Sequence, residues 1–557
     1  MATTTESVVR EDRNLKQSLG YWSLVATGVG SVIGSGWLFS AMYAAQGAGP
    51  ASLIAWLIGG ALMLCIALVF AELGMVHPES GGLVRYPLYS NGRMAAGIVG
   101  WCMWVTYVGN PPTEAAGVVQ YASSYIPALF HGTQLTILGI LVAIALMAVF
   151  VLVNYFGIQL FARSNNVITS IKIFVPMLCI VALLISGFDH RHGAGGPSNI
   201  AAGGGFAPYG IGAALGTIAT AGMVFAYTGF RNIVELSGEV RNPRRNIPAS
   251  LITTILVTIV LYLALQVAFL FGVPQHMLGH GWSGVNFDSP FAQVASAVGL
   301  TWLYWILIAD SMVSPSGAGI VFTAANARNV FGLSKNKFFP RWLAKVDERV
   351  GVPRRALIFN FLLGILFLLP LPSWHSIIGV TGTLIAFTFS IGSVSLLAFR
   401  RAGLATAGSR LPGMAVVAPA AFVISALVIY WVTWPELRLT IPIVVVGVIW
   451  YAVTYFTQHH GVRELTGGIW LIVYLACQYV LSYIGSFDGK NLIHAPWDSI
   501  VVAAVSFVFY FWAVASGTRY LVGRPDVIED MRAQQKDRGL ETKEAAQQTT
   551  QEAPAQR

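Results

Sequence analysis

The sequence predicts an all-α polytopic membrane protein in which two of the crossing helices are broken. Three observations predict it. The 557-residue chain is 55% hydrophobic and only 10% charged, whereas soluble proteins carry about 25% charged residues. Its apolar residues fall in runs long enough to cross a bilayer. Two of these runs carry glycine and polar residues at mid-span, where lipid satisfies no freed backbone group.

The mean hydropathy of +0.67 agrees. A net charge of +9 would point to nucleic acid in a soluble chain. Here the basic residues lie mainly in short loops between apolar runs, so no nucleic-acid partner is expected. Cys65, Cys102, Cys179 and Cys477 each lie inside an apolar run. They lack metal-ligand spacing, so no disulfide, metal or other cofactor is expected. Residues 1–20 are polar and of mixed charge, and the first run is long enough to remain as a span, which argues against a cleaved leader.

Fourteen spans are expected, at about 21–43, 51–76, 95–127, 134–154, 164–187, 209–237, 248–273, 291–327, 355–372, 375–399, 414–433, 439–457, 467–485 and 498–517. The third and eighth exceed one crossing, which predicts tilt or extension beyond the bilayer. The basic clusters fall in alternate loops: Arg10 to Lys16, Arg85 and Arg93, Arg163, Arg241 to Arg245, Arg328 to Arg355, Arg400 to Arg410, and Arg463. All lie on one side if the N-terminus is cytoplasmic, and an even span count returns the C-terminus there. The segments expected are a cytoplasmic lead-in (1–20), a core of spans one to ten with an inverted repeat (21–400), accessory spans 11–14 (401–523) and a disordered cytoplasmic tail (524–557). The glycine-rich stretch 188–208 reads as a flexible connector. SKNKFFPRWLAKVDERV reads as a short helix at the membrane surface.

The first run holds GVGSVIGSGWLF, from Gly28 to Phe39. Each glycine costs a helix about 1 kcal/mol relative to alanine. A break here offers bare N–H groups to an anion and bare carbonyls to a cation, and an amino-acid zwitterion needs both. The sixth run, TAGMVFAYTGFRNIVELSG, is interrupted in the same way at Gly222 and Gly229 and enters from the opposite side. Matching interruptions in two oppositely oriented halves are the sequence pointer to alternating access. The competing explanation is that these glycines only let helices approach closely.

GVGSVIGSGWLF, ELGMVHPESGGLVRYPL, AYTGFRNIVELSGEVRNPRRNIP and ARNVFGLSKNKFFPRWLAKVDERVGVP together resemble motifs of amino acid permeases of the amino acid–polyamine–organocation superfamily. The aspartate/glutamate–proton symporter branch looks nearest. The resemblance covers the first ten spans and implies a five-plus-five inverted-repeat fold with broken first and sixth helices. It implies that Val32, Ile33, Gly34, Ser35 and Gly36 hold a substrate α-carboxylate through N–H groups and the Ser35 hydroxyl, a helix N-terminus supplying the dipole. The Val32 and Ile33 carbonyls, with those of Ala226 and Tyr227, would take the amino group, within a second break running through Thr228 and Gly229. Phe225 falls where the family has an aromatic gate, or is a plain core aromatic. Lys172 would take the place of sodium, its ammonium near Gly28 to Gly30 with Ser316 close by, and shuttle protons. The alternative is a lysine that snorkels to the interface.

Arg231 departs from the family, where an acidic residue is common. It either grips a substrate side-chain carboxylate or pairs with Glu235 one turn on, and the resemblance, which puts the substrate before Gly229, favours the pair. Glu114 and Asp310 are either proton carriers or satisfied interior acids. Glu72 is expected to pair with a loop arginine. The reading that results is a proton-coupled amino acid permease of the plasma membrane, with an acidic substrate guessed and no oligomeric state specified. Its partners are a small amino acid, protons and the bilayer. An amino acid or amine exchanger is the alternative in the same fold. A membrane-embedded enzyme is disfavoured, because no HExxH, CxxC or Walker loop occurs.

Overall fold

The first apolar run is two helices, α1 (Tyr21–Val32) and α2 (Gly36–Ala48), separated by three non-helical residues. In the computed structural model residues 18–79, 81–156, 159–189, 193–335, 338–347, 353–457, 461 and 463–537 are described. The lead-in before residue 18 and the tail beyond 537 lie outside them.

Next come α3 (Ser52–Val76) and α4 (Gly82–Ala122), then a small antiparallel pair, β1 (Phe130–His131) and β2 (Gln134–Leu135). They are followed by α5 (Ile137–Phe156) and α6 (Gln159–Asp189). The sixth run is three pieces, α7 (Gly210–Thr220), α8 (Met223–Tyr227) and α9 (Phe230–Glu235). Beyond it lie α10 (Pro243–Gly272), α11 (Pro290–Ala297), α12 (Thr301–Lys335), α13 (Arg354–Leu368) and α14 (Trp374–Arg401). The chain finishes with α15 (Met414–Trp431), α16 (Trp434–Thr457), α17 (Arg463–Thr466), α18 (Ile469–Ile484), α19 (Trp497–Val522) and α20 (Pro525–Asp537).

Among the described residues, ten helical stretches are long and apolar enough to cross a membrane. The first two expected spans count there as the single stretch Gly36–Val76, and three others fall short of that measure for physical reasons. The sixth is broken, α13 has only 15 residues, and α4 carries Asn110, Pro111, Pro112 and Glu114. The most apolar part of α14 is wholly buried, and this helix packs against α4, α15 and α19. By contrast α5 exposes Ile137, Leu141, Val149 and Leu152, as a lipid-facing helix does. The long third run continues as one helix to Ala122, and Gly92, whose φ of 81° kinks α4 ahead of that run, sets off the polar first turns of the helix. Only glycine fits there, because a Cβ would lie 2.8 Å from the Tyr520 ring. The long eighth run is α11 plus α12.

Three expectations need correction. The stretch 188–208 is tied down rather than flexible: within its described residues Asn199 is buried and donates to the carbonyls of Leu270 (2.8 Å) and Val273 (2.7 Å) at the end of α10. The tail does not begin in disorder, because α20 buries Met531 and Gln535. Gln535 donates to the Val76 and Leu404 carbonyls at 2.7 and 3.0 Å, filling acceptors that helix ends leave open. The stretch after α12 holds only a 3-10 turn at Arg341–Ala344, with Phe339 packed on Trp104. Parts of it (336–337 and 348–350) lie outside the described residues. The sixth run is interrupted at both of the glycines singled out in it, at Ala221–Gly222 and at Thr228–Gly229.

Two acids brace the helix ends. Glu72 takes a two-pronged bond from Arg400 (2.5 and 2.7 Å) and a third from the Leu411 N–H, so its arginine partner comes from the last turn of α14 rather than from a loop. In the loop before α4, Glu79 accepts from Arg85 (2.5 Å) and Tyr89 (2.9 Å). Its backbone exchanges bonds with Ser237, just beyond α9. Burial alone would push the Glu79 carboxyl up. Arg85, then His77 and Tyr89, outweigh burial and hold it at about 2 against an ordinary 4.5. A lowered folded value means that this stability is present above about pH 4.5 and drains away as pH falls toward 2, roughly 3 kcal/mol in all. Thermal melts in detergent between pH 7 and 3 are expected to show a flatter acid limb for Glu79→Gln, which starts from a lower melting temperature. Parallel limbs would contradict this.

Candidate functional site

The glycines around residue 34 produce a full break. Ile33 leaves helical geometry (φ −89°, ψ 87°), and α2 restarts at Gly36. A carboxylate occupies the start of α2: the Ser35 N–H donates to Glu114 Oε2 at 2.7 Å. Gly34 is required beside it, because a Cβ would sit 2.6 Å from Glu114 Oε1. Glu114 reaches the break because it follows Pro111 and Pro112 on α4, which faces α12 and α14 across the interior. The Ser35 hydroxyl accepts the Trp374 indole N–H at 2.7 Å, and the Tyr262 hydroxyl reaches the Val32 carbonyl at 3.4 Å.

The second interrupted run lies against the first. The Ser31 hydroxyl donates to the Gly28 carbonyl (2.8 Å) and reaches that of Gly229 (3.5 Å). Phe225 is half-buried and borders Gly36, where a Cβ would lie 3.7 Å from its ring. The Thr228 hydroxyl caps the Phe225 carbonyl at 2.7 Å. The Tyr227 side chain turns away, its hydroxyl donating to the Trp56 carbonyl at 2.8 Å. Among the described residues no backbone N–H bonds the carbonyls of Ile33, Ala226 or Tyr227. These are open acceptors of the kind a buried ammonium needs.

On one side of the break the structure is sealed by rings. Trp374 packs on Phe39 (5.0 Å) and stacks on Tyr43 (5.7 Å). On the other side a cavity of about 570 Å³ runs from Gly81, Glu239 and Arg328 up to Ser31, Tyr107 and Lys172. That volume suits a small metabolite.

Lys172 is buried at the inner end of this cavity. Its ammonium feels the charges of Glu114 and Asp310. Asp310 Oδ1 accepts from Ser314 (2.7 Å), while its buried Oδ2 has no partner. The structure does not bring Ser316 to Lys172: it makes no described hydrogen bond there and does not line the cavity, whereas Ala318, two residues on, does. The expected Arg231–Glu235 pair is also not a direct one. Arg231 lies over the Tyr107 ring, 4.4 Å from its centre, and the Tyr107 hydroxyl donates to Glu235. The aromatic ring stands between the two charges that helical spacing alone would have paired.

Tyr107, Trp374 and Tyr262 are therefore site residues that sequence reasoning missed. Tyr107 and Trp374 flank runs already singled out, the first just ahead of the proline pair and the second opening α14. An aromatic in an apolar run carries no mark of the distant group it will touch.

The fold and this site define a class: a multi-pass helical membrane protein with a cavity beside two broken helices. The amino acid permease family matches the chain over residues 19–457, and the chain belongs to that family. It is 39% identical over 522 residues to the glutamate/serine transporter AimA of Bacillus subtilis, covering 91% of this chain and 95% of that one. It is 34% identical over 514 residues to the aspartate-proton symporter of the same organism, covering 90% and 97%. A methylthioribose transporter of B. subtilis is 26% identical over 410 residues. The family and these relatives are transporters, not enzymes.

Proposed function

We propose that this permease takes up an acidic amino acid across the plasma membrane together with protons. The observation that carries the reading is the Glu114 carboxylate on the Ser35 N–H. A backbone donor at a helix start is a carboxylate site, and the protein's own acid fills it. When Glu114 takes a proton it loses the charge that makes it a strong acceptor. The substrate α-carboxylate then replaces it at Val32 to Gly36. The substrate ammonium takes the open carbonyls of Ile33, Ala226 and Tyr227, and Phe225 closes over it.

In this reading Lys172, whose ammonium feels the charges of Glu114 and Asp310, passes the proton to and from Glu114. The names of the two most fully aligned relatives, a glutamate/serine transporter and an aspartate-proton symporter, support both parts of the reading. We further infer fourteen crossings: α1 with α2, the three pieces α7 to α9, and twelve further helical runs, the first ten forming two inverted repeats of five. Cytoplasmic termini make the cavity face inward.

Uptake by the purified protein in liposomes tests this, using labelled amino acids and imposed ion gradients. An inward proton gradient is expected to drive accumulation of aspartate or glutamate with or without sodium. Strictly sodium-dependent, pH-insensitive uptake would overturn it.

A further inference from the structure

Arg231 is 4% exposed, and its Nε has no hydrogen-bond partner. Among the described residues no hydrogen bond or ion pair reaches its guanidinium, which lies over the Tyr107 ring face and feels the charge of the Glu235 carboxylate beyond it. Three buried acids fare differently. Glu72 has Arg400, Glu79 has Arg85, and Glu114 has the Ser35 N–H. Burying a charge without a partner is costly, and inside a membrane such a group marks a ligand path. Arginine cannot escape the cost by giving up its proton.

The carboxylate nearest in sequence, Glu235, is taken by the Tyr107 hydroxyl. Tyr107 and Asn232, the residue after Arg231, both line the cavity. Gly229, two residues before Arg231, lies against the end of α1 at Ser31. The guanidinium thus stands beside the cavity, a short step from the break, with its fork unspent.

We propose that Arg231 is the specificity residue of the site, its guanidinium binding the side-chain carboxylate of an acidic amino acid. This rests on the permease reading above. The α-carboxylate and α-amino group lie at the two breaks and are common to every amino acid, so they select nothing. Arg231 adds a planar, two-donor contact that only a second carboxylate matches. A neutral side chain leaves Arg231 on Tyr107, as here.

The test is uptake in proteoliposomes of labelled aspartate and glutamate beside serine and glutamine, for the wild type, Arg231→Gln and Arg231→Lys. Losing a hydrogen-bonded charge contact is expected to raise the acidic substrates' KM on the order of 30-fold in Arg231→Gln. Serine and glutamine should stay within about twofold, which also shows that the variant folds. Arg231→Lys should fall between, since it keeps the charge and loses the fork. An unchanged acidic KM, or an equal fall for acidic and neutral substrates in both variants, overturns the proposal. A wild type that carries only neutral amino acids overturns it together with the acidic substrate proposed above, while leaving amino acid transport itself intact. A wild type that carries no amino acid overturns the permease reading itself.

Discussion

Lys172→Gln is expected to abolish proton-driven accumulation while leaving counterflow exchange in place. A difference of one pH unit is worth about 1.4 kcal/mol, so one coupled proton can concentrate a substrate about tenfold. With Lys172 replaced, the cavity end no longer holds the one cation that faces both Glu114 and Asp310. The roughly tenfold accumulation should collapse to equilibration. Substrate contacts at Val32 to Gly36 remain, so preloaded liposomes should still swap unlabelled for labelled amino acid. Retained counterflow is also the sign of a folded protein. Accumulation that persists at wild-type height would exclude Lys172 from coupling.

Glu114→Gln should act in the opposite sense at neutral pH. A glutamine amide still accepts the Ser35 N–H and fits beside Gly34, but it is a permanently neutral stand-in for the protonated acid. A charge-assisted bond exceeds a neutral one by about 1 kcal/mol or more. The substrate should therefore displace the amide more easily than the carboxylate, with affinity at pH 7.5 rising about fivefold to tenfold and losing its dependence on pH. The measurement is substrate binding by purified protein from pH 5 to 8. A wild-type pH profile in the variant would contradict the displacement mechanism.

Much of this site was legible because it is local. The glycines at 28, 30, 34 and 36 weaken a helix wherever it packs, and the chain breaks among them, at Ile33 to Ser35. Lys172 in an apolar run signals itself by its cost. What escaped depends on partners distant in sequence. The Trp374 N–H finds Ser35 across 339 residues, and Tyr107 finds Glu235 across 128. The Arg231–Glu235 spacing was correct for a helix, yet α9 has only six residues, and Tyr107 from another helix takes the glutamate. The helix α20 was hidden by its polarity, since two carbonyl acceptors on Val76 and Leu404 hold it through Gln535. The break at Gly222 was legible in its glycine, whose φ of 80° opens α8.

The most direct measurement is a structure of the protein at about pH 5 with its transported amino acid bound. The substrate α-carboxylate is expected within about 3 Å of the Ser35 nitrogen, with the Glu114 carboxyl withdrawn toward Lys172. An amino acid bound elsewhere in the cavity, with Glu114 still holding the Ser35 N–H, would contradict the account.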